Sequence, residues 1–251
     1  MTPESPLIHS PATDLVDEKP QYLIIADEIK HDILTGKLKI GDKLPPERDM
    51  AKYFDVGRPT IREAVRSLEI YGILETKRGN GTFVTNRTQS VMSSHLQVIA
   101  SLNNVSIQEI IEYREMIEIR AVSLAAIHRK DDELPVLYKC LEKLKLAKTY
   151  DEVREADYCF HMNTALMAHN ALIADSYVAM SHFFEESINN SATEISNFGE
   201  SYFDVAQYHM PIYDAICDRD PEIARLFMKR HMERIWQFYD AHFLTKKRSN
   251  E

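Results

Sequence analysis

The chain has 251 residues, 44% of them hydrophobic and 27% charged, the balance of a globular protein with a sizeable core in one or two domains. No apolar run approaches the roughly 18 residues of a membrane span, and the first twenty residues lack the basic and apolar regions of a secretory leader. The formal net charge of −9 would repel phosphates, but it is uneven: residues 20–87 carry 12 Lys+Arg against 10 Asp+Glu, and residues 88–251 carry 17 against 25, so any nucleic-acid contact is expected from the N-terminal segment alone.

Residues 1–19 read as a flexible polar arm. Residues 21–36 then show a helical pattern with Leu23, Ile24, Ile29 and Ile33 on one face, stopped by Gly36. Gly41-Asp42 is a turn, and Pro45-Pro46 introduces a second, short helix that reaches Phe54, with Glu47 in its first turn. Asp55-Val56-Gly57 is a tight turn, and Pro59 opens a third helix over 58–72. Two short helices joined by a glycine-containing turn form a helix-turn-helix. The third helix has a buried stripe of Ile61, Ala64, Val65 and Leu68. Arg58, Thr60, Arg62 and Arg66 lie on or beside its other faces, which suits a helix whose first turns reach base edges in a major groove. Ile73–Thr76 and Thr82–Thr85 read as strands flanking a basic, glycine-rich tip at 77–81, a wing able to touch phosphates or the minor groove.

Residues 87–105 are expected as a linker with a connecting helix. From Ser106 onward the pattern is almost wholly helical, with few glycines, and Ser106 with Glu109 forms a capping-box signature. Asp131-Asp132 and Tyr150-Asp151 are expected to introduce two further helices. Asp175, Ala192-Thr193 and Asp220-Pro221 are read as breaks, giving six or seven helices over residues 106–244 as an antiparallel bundle, with a tail at 245–251. Cys140, Cys159 and Cys217 are odd in number and widely spaced, which argues for free thiols in a reducing cytoplasm.

Inside the bundle segment, Asp157 and His161 are four apart and share a helix face. His209 and His231 fall on two later helices. One carboxylate and three imidazoles converging in a bundle would suit zinc, nickel or a similar borderline metal. Each histidine taken singly is more usually a surface or hydrogen-bonded core residue. Pro211 lies two residues after His209 and leaves that side chain's aim open.

LPPERDMA (44–51), VGRPTIREA (56–64) and RGNGTFV (78–84) together resemble the DNA-binding domain of the GntR family. That resemblance implies Arg48, Arg58, Thr60 and Arg62 as DNA contacts from the helices, with Gly79 and Asn80 from the wing. Glu47 and Glu63 are better placed to orient arginines than to touch DNA, because carboxylates are repelled by phosphates. Residues 106–243 resemble the FCD ligand-binding domain of the FadR subgroup of that family. There, DYCFH (157–161), HMPIYDAI (209–216) and His231 match the metal-ligand motif, which implies a divalent metal on Asp157, His161, His209 and His231.

Arg114 has two readings. It can form an exposed pair with Glu118 one turn later, which needs no function. Alternatively, as the FCD resemblance implies, it points into a cavity and grips an effector carboxylate. The expected architecture is therefore mostly α: a winged helix-turn-helix at 20–86 followed by an all-helical FCD-like domain. The expected function is a cytoplasmic homodimeric regulator, a repressor in preference to an activator, binding a palindromic operator in double-stranded DNA under control of a small organic acid. Two rivals remain, a metal-dependent enzyme and a ligand-free dimerisation scaffold. No motif places a general base or nucleophile, and Cys159 points away from the ligand face, so no catalytic residue is assigned.

Overall fold

The computed structural model describes residues 19–189 and 206–239, so the break expected at Ala192-Thr193 lies outside the described residues. The chain divides into two compact units, 1–87 and 88–251. Among the described residues no helix is long and apolar enough to cross a membrane.

The first unit contains α1 (Gln21–Leu34), α2 (Glu47–Tyr53), α3 (Arg58–Ile70) and a two-stranded antiparallel hairpin of β1 (Leu74–Lys77) and β2 (Gly81–Val84). Its core joins Ile25, Ala26 and Ile29 of α1 to Met50 and Ala51 of α2. The α3 stripe Ile61, Ala64, Val65 and Leu68 packs there with Leu74 and Val84 of the hairpin. The α3 stripe is the one its spacing predicts. The α1 face is corrected: Ile24 is 51% exposed, because Tyr22, Ile25, Ile29 and Ile33 supply the 3- and 4-residue spacing and Ile24 lies about 100° round the helix. The turn between α2 and α3 places its left-handed backbone at Asp55 (φ 51°) rather than at Gly57, which is extended and caps α3. Aspartate tolerates that conformation better than most side chains.

The second unit has seven α-helices among the described residues: α4 (Thr88–Asn103), α5 (Ile107–His128), α6 (Leu134–Leu146), α7 (Tyr150–Met167), α8 (Ala171–Asn189), α9 (Ala206–Cys217) and α10 (Pro221–Tyr239), with a 3-10 turn at Asp131–Glu133 leading into α6. Helix α5 is central, packing on α7, α8, α9 and α10, while α4 lies along α8 and α6 packs on α7 and α9. The core includes Val122 and Ala125 of α5, Leu141 of α6, Phe160 of α7, Met180 of α8, Ile212 of α9 and Met228 of α10. The capping box on α5 is formed, with Ser106 Oγ accepting from the Glu109 N–H and the Glu109 carboxylate accepting from the Ser106 N–H. Thr149 and Glu152 repeat it on α7.

Two expectations are corrected in this unit. Asp175 is no break, because α8 starts four residues earlier, where Asn170 Oδ1 accepts from the N–H groups of Leu172 and Ile173. Asp175 sits inside the helix and accepts from Gln89 Nε2 of α4 at 2.6 Å. Cys140 of α6 and Cys159 of α7 are joined as a disulfide with Cα atoms 5.6 Å apart, which leaves Cys217 as the free thiol. The odd cysteine count hid this pair because the α6–α7 packing, not sequence spacing, brings them together.

Candidate functional site

In the first unit, the residues expected to touch DNA are arranged on α2, α3 and the hairpin. Gly57 and Pro59 start α3, so Arg58, Thr60 and Arg62 fall in its first two turns. Glu47 at the start of α2 accepts from Arg62 Nε at 2.8 Å and lies 3.7 Å from Arg58 Nη2. It therefore holds two arginines, the orienting role its charge suggests. Arg48 is exposed beside Asp49, with Nε to Oδ1 at 3.3 Å. At the hairpin tip, Gly79 has φ 76° and the Asn80 N–H donates to the Lys77 carbonyl. The pairing of Lys77 with Gly81 leaves a three-residue loop, shorter than the five-residue tip read from the sequence.

Two supports of the wing were not visible in the sequence. Glu69 of α3 accepts from the Thr76 N–H at 2.8 Å, tying β1 to α3. Lys43 pairs with Phe83 in an isolated bridge, and its side chain crosses Gly81 so closely that a Cβ there would lie 2.7 Å from Lys43 Cε.

In the second unit, Asp157 and His161 of α7, His209 of α9 and His231 of α10 converge, with one ligand atom from each lying within 4.8 Å of all the others. Pro211 is accommodated within α9, and His209 faces inward, fully buried. His209 Nε2 lies 3.1 Å from His161 Nε2 and 3.0 Å from Asp157 Oδ1, and His161 Nε2 lies 3.6 Å from that same oxygen. Tetrahedral zinc with bonds near 2.0–2.1 Å would separate its ligands by about 3.3 Å, so these spacings bracket what such an ion needs. His231 Nε2 is buried with no hydrogen-bond partner, an arrangement that is unfavourable in a protein interior and that a cation would relieve. The donor set fits a divalent metal.

The surroundings tune these groups. Burial and the neighbouring imidazoles of His209 and His161 push His231 well below the ordinary histidine value, which keeps it neutral as a ligand must be. Burial opposes charge on Asp157, but His161 and His209 outweigh it and hold the carboxyl well below its usual range. Burial likewise opposes charge on His161, yet Glu118 and Asp157 raise it to about 9, so a metal would take the place of a proton there. The imidazoles are packed by aromatic rings, with Phe160 edge-on to His209 at 4.9 Å between centroids and Tyr177 stacked on His161 at 6.5 Å.

Arg114 is buried, so the reading of it as half of an exposed pair does not hold. Its Nε donates to Glu118 Oε1 at 2.5 Å, its Nη2 lies 3.8 Å from Asp157 Oδ2, and its guanidinium carbon lies 4.8 Å from the centre of the Phe184 ring. The structure thus brings Arg114 to the rim of the four-residue cluster. Glu118 was read from the sequence only as Arg114's partner. Its second oxygen faces His161 Nδ1, a contact that depends on α5 lying against α7.

Comparison with known proteins identifies both units. Residues 21–84 match the family described as bacterial regulatory proteins, gntR family, and residues 109–234 match the FCD domain. The chain is 30% identical over 221 residues to the uncharacterized HTH-type transcriptional regulator YcbG of Bacillus subtilis, covering 88% of this chain and 90% of that one. It is 27% identical to the HTH-type transcriptional regulator LutR of the same organism, covering 84% and 97%. Among solved structures it resembles a Streptococcus agalactiae GntR protein with a TM-score of 0.66 at 27% identity, covering 85% of this chain and 98% of that one. These relatives are regulators, not enzymes. The chain belongs to the GntR family of DNA-binding transcriptional regulators, with a winged helix-turn-helix at its N-terminus and an FCD domain after it.

Proposed function

We propose that the protein is a cytoplasmic, homodimeric repressor whose operator affinity is set by a small organic acid bound at a metal centre in the helical unit. The observation that carries this reading is the position of Arg114 beside the cluster. The three histidine side chains are almost wholly buried, whereas that of Asp157 is 26% exposed, and Arg114 Nη2 lies 3.8 Å from it. A small carboxylate entering on the Asp157 side would meet a cation and a guanidinium together, and a guanidinium can hold a carboxylate through two parallel hydrogen bonds.

Zinc is the expected ion, with nickel or another borderline metal compatible with three imidazoles and a carboxylate. It would supply positive charge beside the effector's carboxylate, and a bond to it by expanding its coordination beyond the four protein ligands. Asp157, His161, His209 and His231 would hold it. Arg58, Thr60, Arg62, Arg48, Gly79 and Asn80 would contact a palindromic operator, because two copies related by a twofold axis present two recognition helices to half-sites one helical turn apart. Control requires the acid to bind two arrangements of the dimer with different affinity.

A thermal-shift screen of untagged protein against small carboxylic acids, with and without zinc, tests the reading, since a ligand specific for the folded state stabilises it by RT ln(1 + [L]/Kd). An acid that stabilises only the zinc-loaded protein supports it. Protein that carries no metal at neutral pH, and shifts with no acid, would leave the helical unit as a dimerisation scaffold.

A further inference from the structure

We propose that Glu118 is a positioning residue that serves the metal centre and the effector arginine at once, one carboxylate oxygen for each. The inference rests on the reading of Asp157, His161, His209 and His231 as a metal centre. Glu118 is 2% exposed on α5. Its Oε1 accepts from Arg114 Nε at 2.5 Å, and its Oε2 faces His161 Nδ1. On the far side of that ring, His161 Nε2 is turned toward Asp157 and His209.

An imidazole that gives one nitrogen to a metal carries its proton on the other, and an acceptor beside that proton fixes both the tautomer and the plane of the ring. Glu118 Oε2 faces His161 Nδ1 and neither atom has another hydrogen-bond partner among the described residues, so Glu118 is placed to be that acceptor once Nδ1 carries the proton. The same carboxylate fixes Arg114 from one edge while the Phe184 ring lies against its guanidinium carbon at 4.8 Å, which leaves the Nη edge directed toward Asp157. The i, i+4 spacing of Arg114 and Glu118 puts both on one face of α5. Seating of His161 on a metal and orientation of Arg114 toward an acid therefore pass through one side chain.

The chemistry requires a carboxylate. Each Glu118 oxygen faces an N–H donor, and glutamine has a single acceptor oxygen, so Glu118→Gln must turn its own amide N–H toward either Arg114 or His161. The substitution is nearly isosteric and isolates this effect from a change of volume.

The test uses the untagged full chain, with Co(II) as a spectroscopic probe and Zn(II) for nuclear magnetic resonance. In zinc-loaded wild type, long-range proton–nitrogen correlation should show His161 protonated on Nδ1 and bound to metal through Nε2. Glu118→Gln should weaken Co(II) affinity roughly 10- to 100-fold, the range for loss of an outer-shell partner, and alter the visible absorption of the bound ion. Glu109→Gln on the same helix should change neither. Wild type that takes up no metal overturns the metal-centre reading and this inference with it. Wild type that takes up metal, with Glu118→Gln matching it in affinity and spectrum, overturns the role of Glu118 alone. If Glu118→Gln fails to fold, the wild-type spectrum decides, and a His161 that binds metal through Nδ1 overturns the proposal.

Discussion

The two units handle charge in opposite ways. In the first, Arg48, Arg58 and Arg62 have side chains 73%, 59% and 52% exposed, and two helix starts joined by a tight turn place them. In the second, Arg114, Glu118, His161, His209 and His231 are all buried, packed among Phe160, Tyr177 and Phe184. Exposed ion pairs contribute about 0–1 kcal/mol, whereas buried charges carry a desolvation penalty of several kcal/mol that only excellent partners offset. The surface site is thus a property of the backbone frame, and its side chains can be exchanged with little effect on folding. The buried site is its own frame: each group is held by the next.

That contrast sets the order of expected effects. His209→Ala removes a ligand from the middle of the cluster, so metal affinity should fall by more than the roughly 10- to 100-fold typical of an outer-shell loss. Metal analysis of the purified variant checks it, and retention of one tightly bound ion would break the contrast. Phe160→Ala comes next. This ring is fully buried and edge-on to His161 and His209, with centroids 5.6 and 4.9 Å away, so truncation should destabilise the protein by about 3–5 kcal/mol and loosen the metal with it. Denaturant unfolding measures the first effect and metal titration the second.

Arg62→Ala should behave in the opposite manner. Operator affinity should drop by about 1–3 kcal/mol, with relaxed base preference at one position, because a bidentate arginine contact carries that much discrimination. Folding stability should move by less than about 0.5 kcal/mol, as for most surface changes, and metal content should not move at all. Unchanged gel-shift affinity would count strongly against the assignment of α3 as the recognition helix.

How much of this was legible in the sequence follows the same division. The first unit is built from local signals, and its helices and hairpin lie within a few residues of where those signals put them. The departures there are local too: the wing tip is three residues because Lys77 pairs with Gly81, and α1 buries Ile25 where the pattern points to Ile24. In the second unit, the i, i+4 pair of Asp157 and His161 was readable, and the family resemblance supplied His209 and His231. What packing alone decides was not readable. The disulfide needs α6 beside α7, the second contact of Glu118 needs α5 beside α7, and the setting of Arg114 needs α7 and α8 against α5.

The smallest expected effect lies on the surface of the helical unit, where charge should behave as it does in the first unit. The Ser106 N–H and hydroxyl hold the Glu109 carboxyl below its ordinary value, and the Lys148 and Thr149 N–H groups do the same for Glu152. A carboxyl whose folded value is depressed stabilises the fold above its unfolded value, near 4.5, and loses that contribution as pH falls through the folded value. Stability should therefore decline from about pH 5 downward, and Glu109→Gln with Glu152→Gln should flatten part of that slope by lowering stability at pH 7, because the neutral amide resembles the protonated carboxyl and the variant should converge on the wild type at pH 3. Ser106→Ala removes the other half of one box and should cost about 1 kcal/mol at pH 7, part of which should persist at pH 3 because the Glu109 N–H has lost its acceptor whatever the charge on the carboxyl. Thermal unfolding followed from pH 7 to 3 separates the two. An acid slope unaltered by the glutamine pair would mean that the charge of these two carboxylates contributes nothing to folding in solution.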